Sequence, residues 1–295
     1  VTKVYTLPAG EDWIVDRLVS EWNVWNPDIT TSDLDAADTV WILAGWKWNS
    51  IPREKLSWKR VVVTVHHIVP EKFDPQEFMR RDAIASEYLT YGDDTANFMR
   101  KWTSKPVTAL PYWANGDLFK RSMSVNEAKV KYGLPTNSYV VGSFQRDTEG
   151  SDGRSPKLEK GPDLFADHVE WLRSSGKDVH VLLAGWRRQY VLSRLISASI
   201  PYTYFERPSL DVVNDLYQAC DLYVVSSRHE GGPQSLIECG LTSTPVVSRD
   251  VGIARNVLPP KSINDDLTLA TPSIPDVNHM KIDPGFSPYR RFFIR

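Results

Sequence analysis

Short apolar runs rich in β-branched residues alternate with longer amphipathic stretches along almost the whole chain. This alternation constrains the fold more than any other feature. The runs cover residues 4–8, 39–44, 60–65, 88–91 and 107–111, then 139–144, 179–184, 202–205, 222–226 and 245–248. Helical patterns lie between several of them, notably over 160–173 and 210–219. Strands alternating with helices predict parallel, doubly wound sheets buried on both faces. Ten strands are too many for one ordinary sheet, so the pattern predicts two. The seam falls in residues 111–135, where Asn115-Gly116-Asp117 signals a turn and a polar stretch follows. Tryptophan usage changes there as well: of the 11 tryptophans only Trp171 and Trp186 lie beyond residue 113. The expected domains are therefore 1–113 and 114–295, two sheets facing each other across a cleft. Ligands of such sheets bind beyond the carboxyl ends of the strands, so the residues just after each strand carry the functional reading.

Composition excludes several classes. The 295 residues are 41% hydrophobic and 24% charged, an ordinary globular balance. Lys plus Arg (35) nearly equals Asp plus Glu (37), so no chain-wide basic field exists for gripping nucleic acid. Two cysteines, Cys220 and Cys239, cannot make a disulfide framework and suit a reducing compartment. No apolar run approaches the roughly 18 residues that span a bilayer. The first residues carry no signal-peptide core, and the expected location is cytoplasmic.

The most informative segment is 221–240, DLYVVSSRHEGGPQSLIECG. A buried strand runs into Ser226-Ser227-Arg228-His229, then Glu230, Gly231, Gly232, Pro233 and an apolar helical run. Pro233 suits the first turn of a helix. The glycines let backbone approach a ligand closely. The helix N-terminus offers N–H groups and partial positive charge to a phosphate or sugar hydroxyl. Glu230 precedes this helix and Glu238 lies within it. Two carboxylates accepting bonds from vicinal hydroxyls can hold two polyol units.

This segment resembles the E-x7-E motif of retaining glycosyltransferases of the GT-B fold, in particular family 4. Two further stretches agree. Residues 140–161, VVGSFQRDTEGSDGRSPKLEKG, resemble that family's strand, Gly, Arg, loop and Glu-Lys-Gly. Residues 110–119, LPYWANGDLF, resemble its Pro-Asn-Gly-x-Asp-x-x-Phe linker. The resemblance covers residues 105–255 well and is weaker before them. It implies an α/β protein of two facing Rossmann-like domains, the first binding acceptor and the second nucleotide-sugar. Glu238 would bind the ribose hydroxyls and Glu230 the donor sugar. Gly231, Gly232, Gln234 and Ser235 would complete the donor site. Arg146 and Lys160 would neutralise the diphosphate, with Arg154 and Lys157 as rivals in the same loop. The physics supports such cations independently: a leaving diphosphate gains negative charge in the transition state, and preorganised donors stabilise it by ~3–4 kcal/mol each.

His66 and His67 follow the strand over 60–65. Adjacent residues at a strand end point to opposite sides, so one faces the cleft. His66 fits the family position better and is assigned to contact the donor. Gly10 follows the first strand, ahead of a helix expected near Asp12, and resembles a family loop that contacts the donor phosphate, although that loop is usually richer in glycine. Trp46 and Trp48 follow a strand and are candidates for stacking on an acceptor sugar. No spacing of His, Cys, Asp or Glu reads as a metal cage, and family resemblance implies catalysis without a metal or other cofactor.

The expected function is sugar transfer from a nucleotide-sugar, UDP- or GDP-linked, to a hydroxyl of a glycan or other acceptor with retention. The leaving phosphate itself would help take the acceptor proton. Three alternatives stand beside it. An inverting transferase on the same fold would need a base such as Asp12, His66 or His67. A nucleotide-sugar or glycan-binding protein would lack turnover. A DNA-glucosylating enzyme is disfavoured by the balanced charge. The basic-aromatic residues 289–295 suit weak peripheral contact with a membrane.

Overall fold

The structure, a computed structural model, describes residues 2–11 and 14–294. The chain divides into two compact units: Val1–Pro111 with Phe286–Arg295, and Tyr112–Gly285. The boundary lies close to the expected seam. The last ten residues differ from the expected 114–295 domain, because they join the first unit.

The first unit holds a parallel sheet of β1 (Val4–Thr6), β2 (Thr39–Ile42), β3 (Arg60–Val65), β4 (Glu87–Thr90) and β5 (Val107–Ala109), in that spatial order. Between them run α1 (Ile14–Trp25), α2 (Arg53–Leu56), α3 (Pro75–Asp82) and α4 (Asp93–Met99). The strand order looks singly wound until Thr30 is included. After α1 the chain returns to form a parallel bridge, Thr30 to Val4, on the free side of β1. It then crosses to β2 on the other side, so the direction of winding reverses between β1 and β2. Alternation on β2 follows: Val40 and Ile42 pack with Phe78 of α3 and Met99 of α4. Trp41 points to the other face and meets Trp22 of α1 edge-on, ring centres 5.2 Å apart.

That face is closed by the C-terminal helix, Ser287–Phe293. Phe293 lies 4.8 Å from the Trp41 ring and Tyr289 5.7 Å. The Tyr289 hydroxyl donates near the carbonyls of Leu110 and Pro111, and Arg290 clasps Asp28. Sequence reasoning offered this segment to a membrane surface. The structure corrects that: Tyr289, Phe292 and Phe293 are buried in the unit's own core, so their apolar surface is already removed from water.

The second unit holds a parallel sheet of β6 (Tyr139–Ser143), β9 (Val179–Gly185), β10 (Tyr202–Glu206), β11 (Leu222–Val225) and β12 (Val246–Ser248), in the order β10-β9-β6-β11-β12. A short antiparallel pair, β7 (Thr148–Glu149) and β8 (Ser155–Pro156), stands apart from it. The helices are α5 (Val125–Lys131), α6 (Pro162–Ser174), α7 (Gln189–Ser197), α8 (Leu210–Gln218) and α9 (Gln234–Thr242). Phe165, Val169, Val191 and Leu195 of α6 and α7 cover one face, against Val141, Val181 and Val224. Ala128 of α5, Leu216 of α8 and Ala219 cover the other, against Val140 and Leu182. The sheet is doubly wound, and its direction reverses between β6 and β11. The crevice beyond those two strands is where such a sheet binds ligand.

Candidate functional site

The loop leaving β6 and the loop leaving β11 meet at this reversal point. Gln145 follows β6 and donates its Nε2–H to the Lys160 carbonyl at 2.7 Å. Ser226 and Ser227 follow β11 and are buried. The Ser226 hydroxyl donates to the same carbonyl at 3.2 Å. The Ser227 hydroxyl lies 3.1 Å from both Gln145 Oε1 and Glu230 Oε1. Gly161 makes the approach feasible. It sits at φ +60°, and a Cβ there would lie 2.0 Å from the Ser226 carbonyl oxygen. Its neighbour Lys160 thereby places Nζ 2.5 Å from Glu230 Oε1. Gly161→Ala combines a left-handed backbone with a backbone clash, and is expected to cost more than about 1 kcal/mol in urea unfolding.

Beyond Glu230, the chain is packed tightly. A Cβ on Gly252 would lie 2.7 Å from the Gly231 carbonyl oxygen and 3.0 Å from Gly232 N, so the Gly231–Gly232 peptide rests directly on that backbone. Pro233 occupies the N-cap position and α9 begins at Gln234, one residue later than the sequence suggested. Gln234 and Ser235 form its half-buried first turn. One turn further, Glu238 is buried and accepts a hydrogen bond from the Tyr217 hydroxyl at 2.7 Å. Burial, then the neighbouring carboxylate, holds the Tyr217 phenol well above its ordinary pKa, so it remains a donor. Tyr217 was not legible in the sequence: it sits on α8, 21 residues before its partner.

Arg146 is placed differently from Lys160. Its Nε–H donates to the Thr148 carbonyl at 2.9 Å, and its guanidinium lies 5.3 Å from the Trp186 ring centre. Arg187 and Arg207 approach the same ring at 4.6 and 4.8 Å. None of these three arginines has an ion-pair partner among the described residues. Three guanidiniums, from the loop after β6 and from the ends of β9 and β10, therefore gather at one indole ring. The loop itself is pinned by a buried pair. Arg188 Nε donates to Asp147 Oδ2 at 2.7 Å, Nη1 to the carbonyls of Ser143 and Ala184, and Nη2 to Ser143 Oγ at 3.1 Å. The rivals in this loop are spent elsewhere or lie outside. Lys157 pairs with Glu159 at 2.7 Å, and Arg154 is exposed in the turn that joins β7 to β8.

The remaining candidates belong to the first unit. The N–H groups of Ala9, Gly10 and Glu11 converge on the Asp16 carboxylate at 2.8, 3.0 and 2.8 Å. Gly10, at φ +69°, thus donates its N–H to the Asp16 carboxylate of α1. His66 donates Nε2–H to the Leu43 carbonyl at 2.8 Å, which fixes the tautomer, and packs on Trp46 and Tyr91. Trp46 is 51% exposed and donates to Glu11, whereas Trp48 is half-buried and donates to Glu77 of α3. Of the two tryptophans, Trp46 therefore keeps a ring surface for a ligand and Trp48 anchors a loop. Asp12, the expected helix start and a candidate base, lies outside the described residues.

Among the described residues, no group of three His, Cys, Asp or Glu side chains is arranged to hold a metal. Cys220 and Cys239 are free and buried. Among the described residues, no helix is long and apolar enough to cross a membrane.

Residues 151–273 match the family model described as glycosyl transferases group 1, a segment that contains Lys160, Glu230 and Glu238. No curated protein sequence matches the chain. Among solved structures, it is similar to HepE of Anabaena, determined with UDP-glucose (TM-score 0.72, 14% identity, 91% of this chain and 87% of that one). It is also similar to a glycosyltransferase of Rickettsia africae (0.63, 13%, 91% and 86%). A third is the sucrose-phosphate synthase of Thermosynechococcus elongatus (0.58, 16%, 84% and 63%). The fold is that of the GT-B class, α/β with two Rossmann-like parallel-sheet domains.

Proposed function

We propose that the chain transfers a sugar from a nucleotide-sugar to an acceptor hydroxyl with retention of configuration, its second unit binding the donor and its first the acceptor. The coarse class, a nucleotide-sugar-dependent glycosyltransferase, stands on the group 1 match over residues 151–273 and on the GT-B fold. The observation that carries the rest is the Lys160–Glu230 pair at the reversal point of the second sheet, with Glu238 one turn into the helix that follows. Glu238 receives the ribose hydroxyls, oriented by Tyr217. Lys160 and Arg146 meet the diphosphate charge, so the reading assigns that work to protein cations rather than to a metal. Glu230 holds the sugar, and the leaving phosphate helps take the acceptor proton. UDP is the favoured nucleotide, because HepE was determined with UDP-glucose; GDP is the next to try. Two buried free cysteines suit a reducing compartment, and a cytoplasmic reaction fits them.

A thermal-shift screen with UDP, GDP, ADP, dTDP and CMP tests the donor site. A nucleotide at 100 times its dissociation constant is expected to stabilise the protein by ~2.7 kcal/mol. The shift should disappear in Lys160→Ala. No shift with any nucleotide, from folded protein, would count against the reading. The anomeric configuration of the first product, read by NMR, separates retention from inversion; an inverted product would hand the chemistry to a base in the first unit.

A further inference from the structure

Two segments of the second unit, distant in sequence, are fastened side by side: residues 158–163, which lead into α6, and 226–230, which leave β11. The backbone N–H groups of Arg228 and His229 both donate to the Glu159 carbonyl, at 2.9 and 3.1 Å. The Arg228 guanidinium then clasps Asp163 with two bonds, Nη1 to Oδ1 at 2.7 Å and Nη2 to Oδ2 at 2.6 Å. Nη1 also donates to the Leu158 carbonyl at 2.9 Å. Lys160 lies inside the first segment, three residues before Asp163. Glu230 lies two residues beyond Arg228. We propose that Arg228 and Asp163 are positioning residues, a clasp that sets the distance between Lys160 and Glu230 and so acts on the chemical step rather than on nucleotide affinity.

The inference rests on the donor-site reading of Lys160 and Glu230. It needs an arginine and not merely a cation, because a fork-on-carboxylate contact fixes orientation as well as distance. Asp163 stands in the first turn of α6, where the helix field favours a carboxylate, so the helix is the fixed post. Burial works to raise the Asp163 carboxyl, but the Arg228 bonds outweigh it and hold it below the ordinary range. The same bonds raise Arg228. With 32% and 26% of the two side chains exposed, the clasp contributes little to global stability. Its effect lies in geometry: displacing a reacting group by about 1 Å costs up to ~100-fold in rate.

The test compares the full chain with Arg228→Lys, Asp163→Asn and the charge-swapped pair Arg228→Asp/Asp163→Arg. One readout needs no substrate: carbodiimide coupling of the Lys160 amine to the Glu230 carboxylate, quantified by mass spectrometry. The coupled yield should fall about fivefold in each single variant, the population shift a pair of this exposure can enforce, and recover in part in the swap. The second is hydrolysis of UDP-glucose, where kcat should fall about 10–100-fold while KM does not rise and the UDP thermal shift does not fall. Unchanged coupling in both single variants would overturn the clasp, as would a loss confined to KM. A wild-type chain that binds none of the five nucleotides of the thermal screen would instead sink the donor-site reading, and coupling alone would then decide the clasp.

Discussion

Lys160→Ala is expected to lower kcat for transfer by about 10²–10³-fold, the usual cost of deleting one preorganised stabiliser of transition-state charge. In the structure the ammonium does not wait unpaired, since Glu230 Oε1 lies 2.5 Å from it. On the proposed reading a bound diphosphate draws on a cation that a carboxylate already holds, and as the glycosidic bond breaks the growing charge on the phosphate shifts that balance. The gain is largest in the transition state, where it accelerates the reaction rather than merely tightening binding. Glu230→Gln separates the two partners. It removes the competing negative charge, so UDP affinity should stay level or rise while kcat falls, because one of the two oxygens proposed to accept the sugar hydroxyls becomes an NH2 donor. Lys160→Ala should lose both. Steady-state kinetics with the nucleotide-sugar chosen by the thermal screen, beside calorimetry with UDP, reads the contrast directly. Full activity in Lys160→Ala would transfer the role to Arg146. Parallel loss of UDP affinity in both variants would mean that the pair is needed only to hold the loops together.

All ten apolar runs read from the sequence are strands in the two sheets, with ends displaced by a residue or two. Buried parallel strands advertise themselves, because both faces demand apolar, β-branched residues. The spacing of Glu230 and Glu238, and the glycines before α9, were legible for a related reason: a strand–loop–helix junction must declare its turn. What stayed hidden depends on distant partners. The β7–β8 pair is only two residues deep on each side, too short for any period. Thr30 joins the sheet by a single bridge, yet it decides where the winding of the first unit reverses. The sequence Tyr289-Arg-Arg-Phe-Phe looks like an exposed amphipathic end until Trp22 and Trp41 supply the cavity that its rings fill. Arg188, in Trp186-Arg-Arg, looks like a surface cation and is wholly buried.

That buried arginine carries the largest stability effect expected of the second unit. Asp147→Asn should destabilise the chain by about 3–5 kcal/mol, because it leaves the Arg188 charge in the interior without its counter-ion. Both side chains are almost fully buried, and Asp147 Oδ1 also accepts the Thr148 hydroxyl at 2.6 Å, so the substitution cannot be rescued by water without opening the loop. Arg188→Met leaves the buried Asp147 carboxylate without its counter-ion and also removes the guanidinium's bonds to the Ser143 and Ala184 carbonyls at the ends of β6 and β9. Replacing both residues, with Asp147→Leu and Arg188→Met, removes the two charges together. It should cost less than the sum of the single changes, leaving chiefly the loss of those carbonyl bonds, each worth about 1.5–3 kcal/mol because the donor is charged. Urea unfolding of the four proteins measures the cycle. A strictly additive result would mean that the pair does not act as a unit. The expected non-additive one would explain why a charge sits beneath the β6 loop at all: Arg188 draws the ends of two neighbouring strands and Asp147 to a single point, and Arg146, next in sequence to Asp147, inherits its position from that point.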